Sequence, residues 1–257
     1  MPPLLYLVRH AEGQHNVNVR NAVHIMDATL TENGKTQCRQ LQESFAYHDT
    51  IDLVLSSPLR RAIQTTVLSF GPALSRQDVP YLVIPKAQEV SGLTCDIGHS
   101  KQELNEKLPE LFAGETLQFD LSKINFDAVE EGWNSKACCD FGSGYWAPYK
   151  SKVTQRAADL RSWLFQRAEA HILLVTHGAF LHYLTEDWTG DDPVRGTAYL
   201  NCEVRLFEFT PTSTEQEAHI VETPWSRELR GASLPEQDPH VLSELKSLES
   251  GDLRRDV

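Results

Sequence analysis

Arg9-His10 follows directly on the apolar run Leu4-Leu5-Tyr6-Leu7-Val8. A short apolar run that stops at charged residues reads as a buried strand delivering side chains to a sheet edge, and in open α/β sheets ligands bind at that edge. An arginine fork beside an imidazole there supplies a clamp for phosphate and a nitrogen nucleophile in adjacent positions. Three later strand ends answer it. Arg61 opens the helix after the run at 51–55, beside orphan backbone N–H groups that favour an anion. Glu89 places a carboxylate just past the run at 81–84, and His177-Gly178 ends the strongest run, 171–176, where glycine lets backbone approach a ligand closely. Singly, each has an ordinary reading: Arg61 as a surface ion-pair partner, Glu89 as a solvated loop acid, His177 as a satisfied core histidine. Together, one sheet edge would gather all four strand ends in a single pocket.

The elements that must carry these residues alternate along the chain. Strands are predicted over 4–8, 51–55, 81–84, 171–176, 202–209 and 219–222. Helices are predicted over 34–47 through Cys38, Leu41 and Phe45, from Ser56-Ser57-Pro58 to Ser69, over 150–169 through Val153, Ala157, Leu160 and Leu164, and over 179–188. The hydroxyls of Ser56-Ser57 read as a cap, Pro58 as a first-turn residue, and Gly71-Pro72 as the stop. This rhythm predicts an α/β fold: a three-layer α/β/α domain with a mostly parallel central sheet. Residues 91–149 interrupt it and read as an irregular insertion over the strand ends, within one domain spanning 1–225. Residues 226–257 form a polar, acidic tail with a short helix predicted at 241–248.

With these residues in view, the chain resembles the histidine phosphatase superfamily, the branch that holds phosphoglycerate mutases and related acid phosphatases. Leu7-Val8-Arg9-His10-Ala11-Glu12 matches its defining motif. Asn16, Leu30-Thr31-Glu32-Asn33-Gly34 with Gln37, Ser57-Pro58-Leu59-Arg60-Arg61-Ala62, Glu89 and Val175-Thr176-His177-Gly178 match its other landmarks in order. Four ordered motifs are specific where any one would be weak. The resemblance covers about residues 4–185 and implies a phosphoglycerate mutase-like fold. It implies that His10 attacks phosphorus and becomes a phosphohistidine. Arg9, Arg61 and His177 would hold the phosphoryl oxygens, with Asn16 and Gly178 adding contacts, and Glu89 would protonate the leaving oxygen and then activate water. No metal and no cofactor is implied.

The pattern departs from the mutases in two places. Ala11 and Gly13 stand where a glycine and a hydroxyl residue are common, and Ser91-Gly92-Leu93-Thr94-Cys95-Asp96 lacks the tyrosine- and arginine-bearing grip on phosphoglycerate. Hydrolysis is therefore favoured over phosphoryl shuttling. Mutase-type transfer, a non-catalytic phosphate-binding scaffold and specialised-metabolite chemistry stand as alternatives. Gln88-Glu89-Val90-Ser91 and Gly132-Trp133-Asn134-Ser135-Lys136 resemble the mutase-like proteins of fungi and plants.

Substrate class is constrained by charge. Residues 91–150 carry ten acids against five lysines, unlike the basic rim that a polyphosphorylated ligand needs. Phe126, Trp133, Phe141, Tyr145, Trp146 and Tyr149 either line a pocket for a bulky leaving group or form a small core of their own. His15 and Gln14 sit where they could meet substrate, and Arg60 reads as facing solvent or a packing partner. The expected partner is a small-molecule phosphate ester. A net charge of −12 argues against nucleic acid or anionic membrane as a partner, and the sequence leaves the oligomeric state open. No secretory signal or membrane-length apolar run is visible, and Cys38, Cys95, Cys138, Cys139 and Cys202 lack paired spacing. Free thiols in a reducing compartment follow, the cytoplasm first, with the nucleus also open.

Overall fold

Successive residues of the central strands go to opposite faces of the sheet, and both faces are apolar. Tyr6, Val8, Val54, Tyr81, Val83, Leu173 and Val175 enter one core. Leu5, Leu7, Leu53, Leu55, Ile172 and Leu174 enter the other. A sheet buried on both faces must be covered by helices on both, and this one is. The computed structural model describes residues 1–17, 22–136, 144–187, 199–230 and 239–253.

The strands are β1 (Leu4–Arg9), β2 (Leu53–Ser56), β3 (Tyr81–Val83), β4 (Ile124–Asn125), β5 (His171–Thr176), β6 (Val204–Phe209) and β7 (Ile220–Glu222), in the spatial order β4-β3-β2-β5-β1-β6-β7. The first five of that order run parallel; β6 is antiparallel to β1, and β7 to β6. On the first face lie α1 (Glu32–Ser44), α2 (Arg60–Ser69), α3 (Gly71–Ser75) and α4 (Lys101–Leu111). On the second lie α5 (Lys150–Phe165), α6 (Gly178–Thr185) and, after α7 (Pro224–Arg230), α8 (Pro239–Leu253). This is the three-layer α/β/α architecture with a mostly parallel sheet.

Register then fixes what stands beside what. Arg9 pairs with Thr176 across β1 and β5, so His10 and His177 leave adjacent strands side by side. Ser56 pairs with Val175 and with Val83, which brings Ser57 and the chain after β3 to the same edge.

Several local expectations change. Leu59, which makes no side-chain capping bond, precedes α2, and the helix begins at Arg60. Ser57 Oγ accepts the Leu59 N–H (3.2 Å) in the turn and is turned toward the site. Pro58 thus lies before the helix. Gly71-Pro72 opens α3, with the proline in the first turn, where its missing N–H costs no hydrogen bond. The segment 91–149, to which no element was assigned, builds α4 behind a Ser100–Glu103 capping box, and β4 extends the sheet beyond β3. Phe126 and Trp133 from this segment are buried in the first core, with Trp146 packed against it. Tyr145 and Trp146, with Trp163 and Lys86, line a cavity of about 560 Å³ whose walls hold none of the four strand-end residues. Phe141, Cys138, Cys139 and Trp188 lie outside the described residues. Cys38, Cys95 and Cys202 are free thiols. Among the described residues no helix is long and apolar enough to cross a membrane.

From Pro224 the chain forms α7 and then, from Pro239, α8, and Val241, Leu245 and Leu248 of α8 are buried in the second core with Ala179 and Phe180. The apolar spacing within 241–248 explains why this helix docks despite its acidic composition.

Candidate active site

His10 is buried at the end of β1, its backbone N–H donating to Thr176 O (2.9 Å). Its Nδ1 lies 2.7 Å from the carbonyl oxygen of Ala11. A carbonyl only accepts, so Nδ1 carries the proton and Nε2 presents a lone pair. Arg61 Nε donates to that Nε2 at 3.2 Å. The Asn201 side chain donates to the His10 carbonyl (2.7 Å), and Thr65 Oγ1 accepts the Ala11 N–H (2.9 Å), so the nucleophile's backbone is held on both sides.

The His177 ring lies 5.1 Å from the His10 ring and the His15 ring 5.4 Å from it, all three buried. His177 Nε2 is 2.8 Å from Ser57 Oγ. That oxygen also accepts the Leu59 N–H, and we assign its own proton to Nε2. The imidazole proton then sits on Nδ1, a buried atom with no hydrogen-bond partner among the described residues. Burial, then the charge of Arg61, drives the His177 pKa well below the ordinary histidine value, so the ring is neutral and offers one N–H.

Arg61 is fully buried. Beyond His10, its Nη1 donates to Cys95 O (2.8 Å) and its Nη2 to Asp96 Oδ1 (2.7 Å). Burial opposes the guanidinium charge, and the Asp96 carboxylate together with Cys95, Glu89 and Glu244 more than offsets this. Asp96 is itself fully buried and accepts from Ser91 Oγ (2.5 Å). Arg9 is buried nearby, with Nη1 donating to Tyr199 O (2.7 Å). Asn16 Oδ1 accepts the Gly13 N–H (3.0 Å), leaving its buried Nδ2 without a protein partner among the described residues. A Cβ at Gly178 would come 2.7 Å from Val241 Cγ2 and 3.2 Å from Arg9 Nε, so the close approach at this glycine is made by α8 and by Arg9.

Glu89 is buried against the N-terminus of α6. Its Oε1 accepts from Val90 N and Phe180 N (both 2.9 Å), and its Oε2 from Ala179 N (3.4 Å). Those donors favour the charged form. Burial, joined by repulsion from Asp96, still raises its pKa above the ordinary carboxylate value. Its backbone is clamped by two buried cations: Lys136 Nζ donates to Glu89 O (2.7 Å) and Ser91 O (2.9 Å), and Arg156 to Gln88 O (2.5 Å) and Glu89 O (3.3 Å). The Arg156 guanidinium also lies 4.4 Å over the Phe180 ring. Burial pushes Lys136 down to about 8 and Arg156 down to about 10.

His10, Arg9, Arg61, Asn16, Glu89, His177 and Gly178 are thus drawn to one sheet edge. Arg60 sits apart, with Nε donating to Asp27 O (2.9 Å). The framework motif holds the entry loop: Glu12 takes hydrogen bonds from Thr31 Oγ1 (2.5 Å) and Asn33 Nδ2 (3.0 Å), and a Cβ at Gly34 would overlap Glu12 O. Asp96, Arg156 and Glu244 escaped the sequence reading. Each is a charged residue in a stretch with no strand-end signature. Lys136 carried one signal, its place in the Gly132–Lys136 motif.

The sequence profile of the histidine phosphatase superfamily (branch 1) matches residues 5–221. A probable phosphatase of Schizosaccharomyces pombe is 28% identical over 175 residues, covering 68% of this chain and 73% of the relative. Phosphoglycerate mutase-like protein 1 of Arabidopsis thaliana is 30% identical over 200 residues, covering 70% and 69%. Among solved structures, a putative alpha-ribazole-5′-P phosphatase from Escherichia coli superposes with a TM-score of 0.52 at 20% identity, over 86% of this chain and 96% of that one. A mycobacterial glucosyl-3-phosphoglycerate phosphatase, in complex with VO3, gives 0.51 at 18%, over 87% and 99%. Sequence profile, relatives and fold agree, and the chain belongs to branch 1 of the histidine phosphatase superfamily.

Proposed function

We propose that this protein hydrolyses small organic phosphate monoesters through a phosphohistidine on His10. The observation that carries the reading is the tautomer of His10: Nδ1–H tied to Ala11 O, and Nε2 unprotonated and accepting from the Arg61 guanidinium. In the first step Nε2 attacks phosphorus, the P–N bond forms, and the ester P–O bond breaks. Arg61, Arg9, the Asn16 amide and the His177 Nδ1–H offer donors to the phosphoryl oxygens, whose charge spreads in the transition state. Glu89 gives its proton to the departing oxygen. In the second step water attacks the phosphohistidine and returns a proton to Glu89, and the P–N bond breaks.

Two features favour water over a second phosphorylated acceptor. The segment after Glu89 contributes the carboxylate of Asp96 to the site, where a phosphoglycerate grip would need a cation. The yeast relative is named a probable phosphatase. The burial of Phe126 and Trp133 in the core removes them as a wall for a bulky leaving group, so the substrate reading rests on charge alone.

The test is release of inorganic phosphate from an aryl phosphate in chelator, together with acid quenching of the wild type and His10→Ala. Wild type should release phosphate and yield an acid-labile phosphoprotein, and the variant should do neither. Undiminished release by His10→Ala would overturn the reading.

A further inference from the structure

A carbonyl buried outside a helix or strand needs a donor from elsewhere, and the chain after β3 finds its donors on side chains. Residues 88–91 belong to no helix or strand. Ala87 O accepts from Thr176 Oγ1 on β5 (2.7 Å), and Lys86 O and Gln88 O accept from Arg156 Nη1 on α5 (3.0 and 2.5 Å). Glu89 O and Ser91 O both accept from the single ammonium of Lys136 (2.7 and 2.9 Å). An ammonium has three N–H donors and no acceptor, which suits it to two carbonyls at once. The backbone that presents Glu89 is thereby held by three other parts of the chain, and Lys136 is the part that spans the residues on either side of Val90.

Lys136 is delivered by a turn that is itself fixed. Trp133 is fully buried in the first core, its Nε1 donates to His99 O (3.1 Å), and its carbonyl accepts from Gln88 Nε2 (3.0 Å). Asn134 Nδ2 donates to Gly98 O (2.7 Å). The turn at 132–136 therefore grips the chain on both sides of Cys95 and Asp96, at 88–91 and at 98–99. From Ser91 a second line of hydrogen bonds runs to the nucleophile. Ser91 Oγ donates to Asp96 Oδ2 (2.5 Å), Asp96 Oδ1 accepts from Arg61 Nη2 (2.7 Å), and Arg61 Nε donates to His10 Nε2 (3.2 Å). One ammonium thus stands behind both the candidate proton donor and the arginine fork.

We propose that Lys136 is a positioning residue for the reaction: bridging Glu89 O and Ser91 O, it sets the Glu89 carboxyl against the leaving oxygen and, through Ser91 and Asp96, the Arg61 fork against the phosphoryl group. The proposal rests on the reading of Glu89 as proton donor. Lys136 acts through the main chain and not on the substrate itself. Without it the Ser91 carbonyl loses its donor, and Glu89 O keeps only the longer bond from Arg156 Nη2 (3.3 Å), so the segment 89–91 is released to shift. Misplacing a reacting group by about 1 Å costs about a hundredfold in rate.

The experiment compares Lys136→Ala with wild type in single-turnover phosphoenzyme formation, on an alkyl phosphate and on an aryl phosphate with a good leaving group. An alkoxide needs the donated proton and a stabilised phenolate does not, so a displaced Glu89 is felt chiefly by the alkyl ester. The rate constant should fall about a hundredfold for the alkyl ester and about tenfold for the aryl ester. Propylammonium, which replaces the missing atoms, should recover about tenfold of the alkyl rate. Tetramethylammonium at the same concentration, with equal charge and no N–H, should recover none. A lysine that only stabilised the fold would lower the amplitude and leave the rate constant unchanged. Rate constants within about threefold of wild type, equal losses on the two esters, or recovery that does not distinguish the two cations overturns the proposal. In parallel, Glu89→Gln should slow the alkyl ester by at least about a hundredfold and spare the aryl ester. If it does not, the assignment of Glu89 fails and takes the proposal with it, whereas a slow Glu89→Gln beside an undisturbed Lys136→Ala sinks the proposal alone. Should Lys136→Ala not fold, Lys136→Met, which keeps the buried stem and removes the donors, is read on the same two esters.

Discussion

Arg61 Nε stands 3.2 Å from His10 Nε2, while the other end of the same guanidinium is bound to Asp96 at 2.7 Å. One fully buried fork thus links the candidate nucleophile to a carboxylate on the segment after β3. Arg61→Lys keeps the charge and loses the planar fork, which a lysine cannot replace. Phosphoenzyme formation should fall by about 10²–10³-fold, as when one preorganised donor to a developing charge is removed. Rapid-quench kinetics measure this, and a loss under about threefold would be at odds with a donor to the phosphoryl group.

Asp96→Asn leaves the Arg61 charge buried without its counter-ion. Breaking a buried pair from one side typically costs about 3–5 kcal/mol, and denaturant unfolding should register a loss of that order. An anion in the site can take over as the partner of Arg61. Orthovanadate should therefore raise the melting temperature of Asp96→Asn by more than it raises that of wild type. Equal increments would show that Arg61 does not meet the bound anion.

His177 titrates in the folded state well below its ordinary value of 6.5, burial being the chief cause and Arg61 the next. Between that lowered value and 6.5 the unfolded chain binds the extra proton, so acidification favours unfolding. The stability that the neutral ring contributes is complete above pH 6.5 and is lost as pH falls toward the folded value. His177→Asn should remove this dependence. The stability difference between wild type and variant should change by up to about 1.4 kcal/mol per pH unit in that window and be flat above it. Parallel curves at every pH contradict a buried neutral His177.

Gly178→Ala would drive a methyl group to 2.7 Å from Val241 Cγ2. Overpacking of this kind costs about 1–3 kcal/mol, and Val241→Ala in the same chain should recover part of it. Calorimetry of the double-mutant cycle checks this. Strict additivity would mean that α8 does not dock on Gly178.

Much of the site was legible from residue order alone. Val8-Arg9-His10 and Thr176-His177-Gly178 sit at the ends of apolar runs, and strand periodicity is a local property that survives without any knowledge of the fold. Parallel pairing of β1 with β5 then had only to place two such ends together. The framework around Glu12 was equally readable, because Thr31, Asn33, Gly34 and Gln37 all serve its backbone or side chain.

Other features lay beyond the sequence because burial reverses the meaning of a charge. In a list of residues, Asp96, Arg156 and Glu244 are indistinguishable from the acids and bases that solvate a surface, and each is buried. Ser57 looked like a helix cap and became a partner of His177, since a turn residue's hydroxyl goes wherever the neighbouring strand leaves an acceptor or donor. The primary chain by itself determined the α/β alternation and the strand-end residues His10, Arg61, Glu89 and His177. Only the tertiary structure decided which charged residues are buried with them and that α8 docks on α6 with Glu244 buried, because desolvation and pairing depend on what packs across the fold, not on what comes next in the chain.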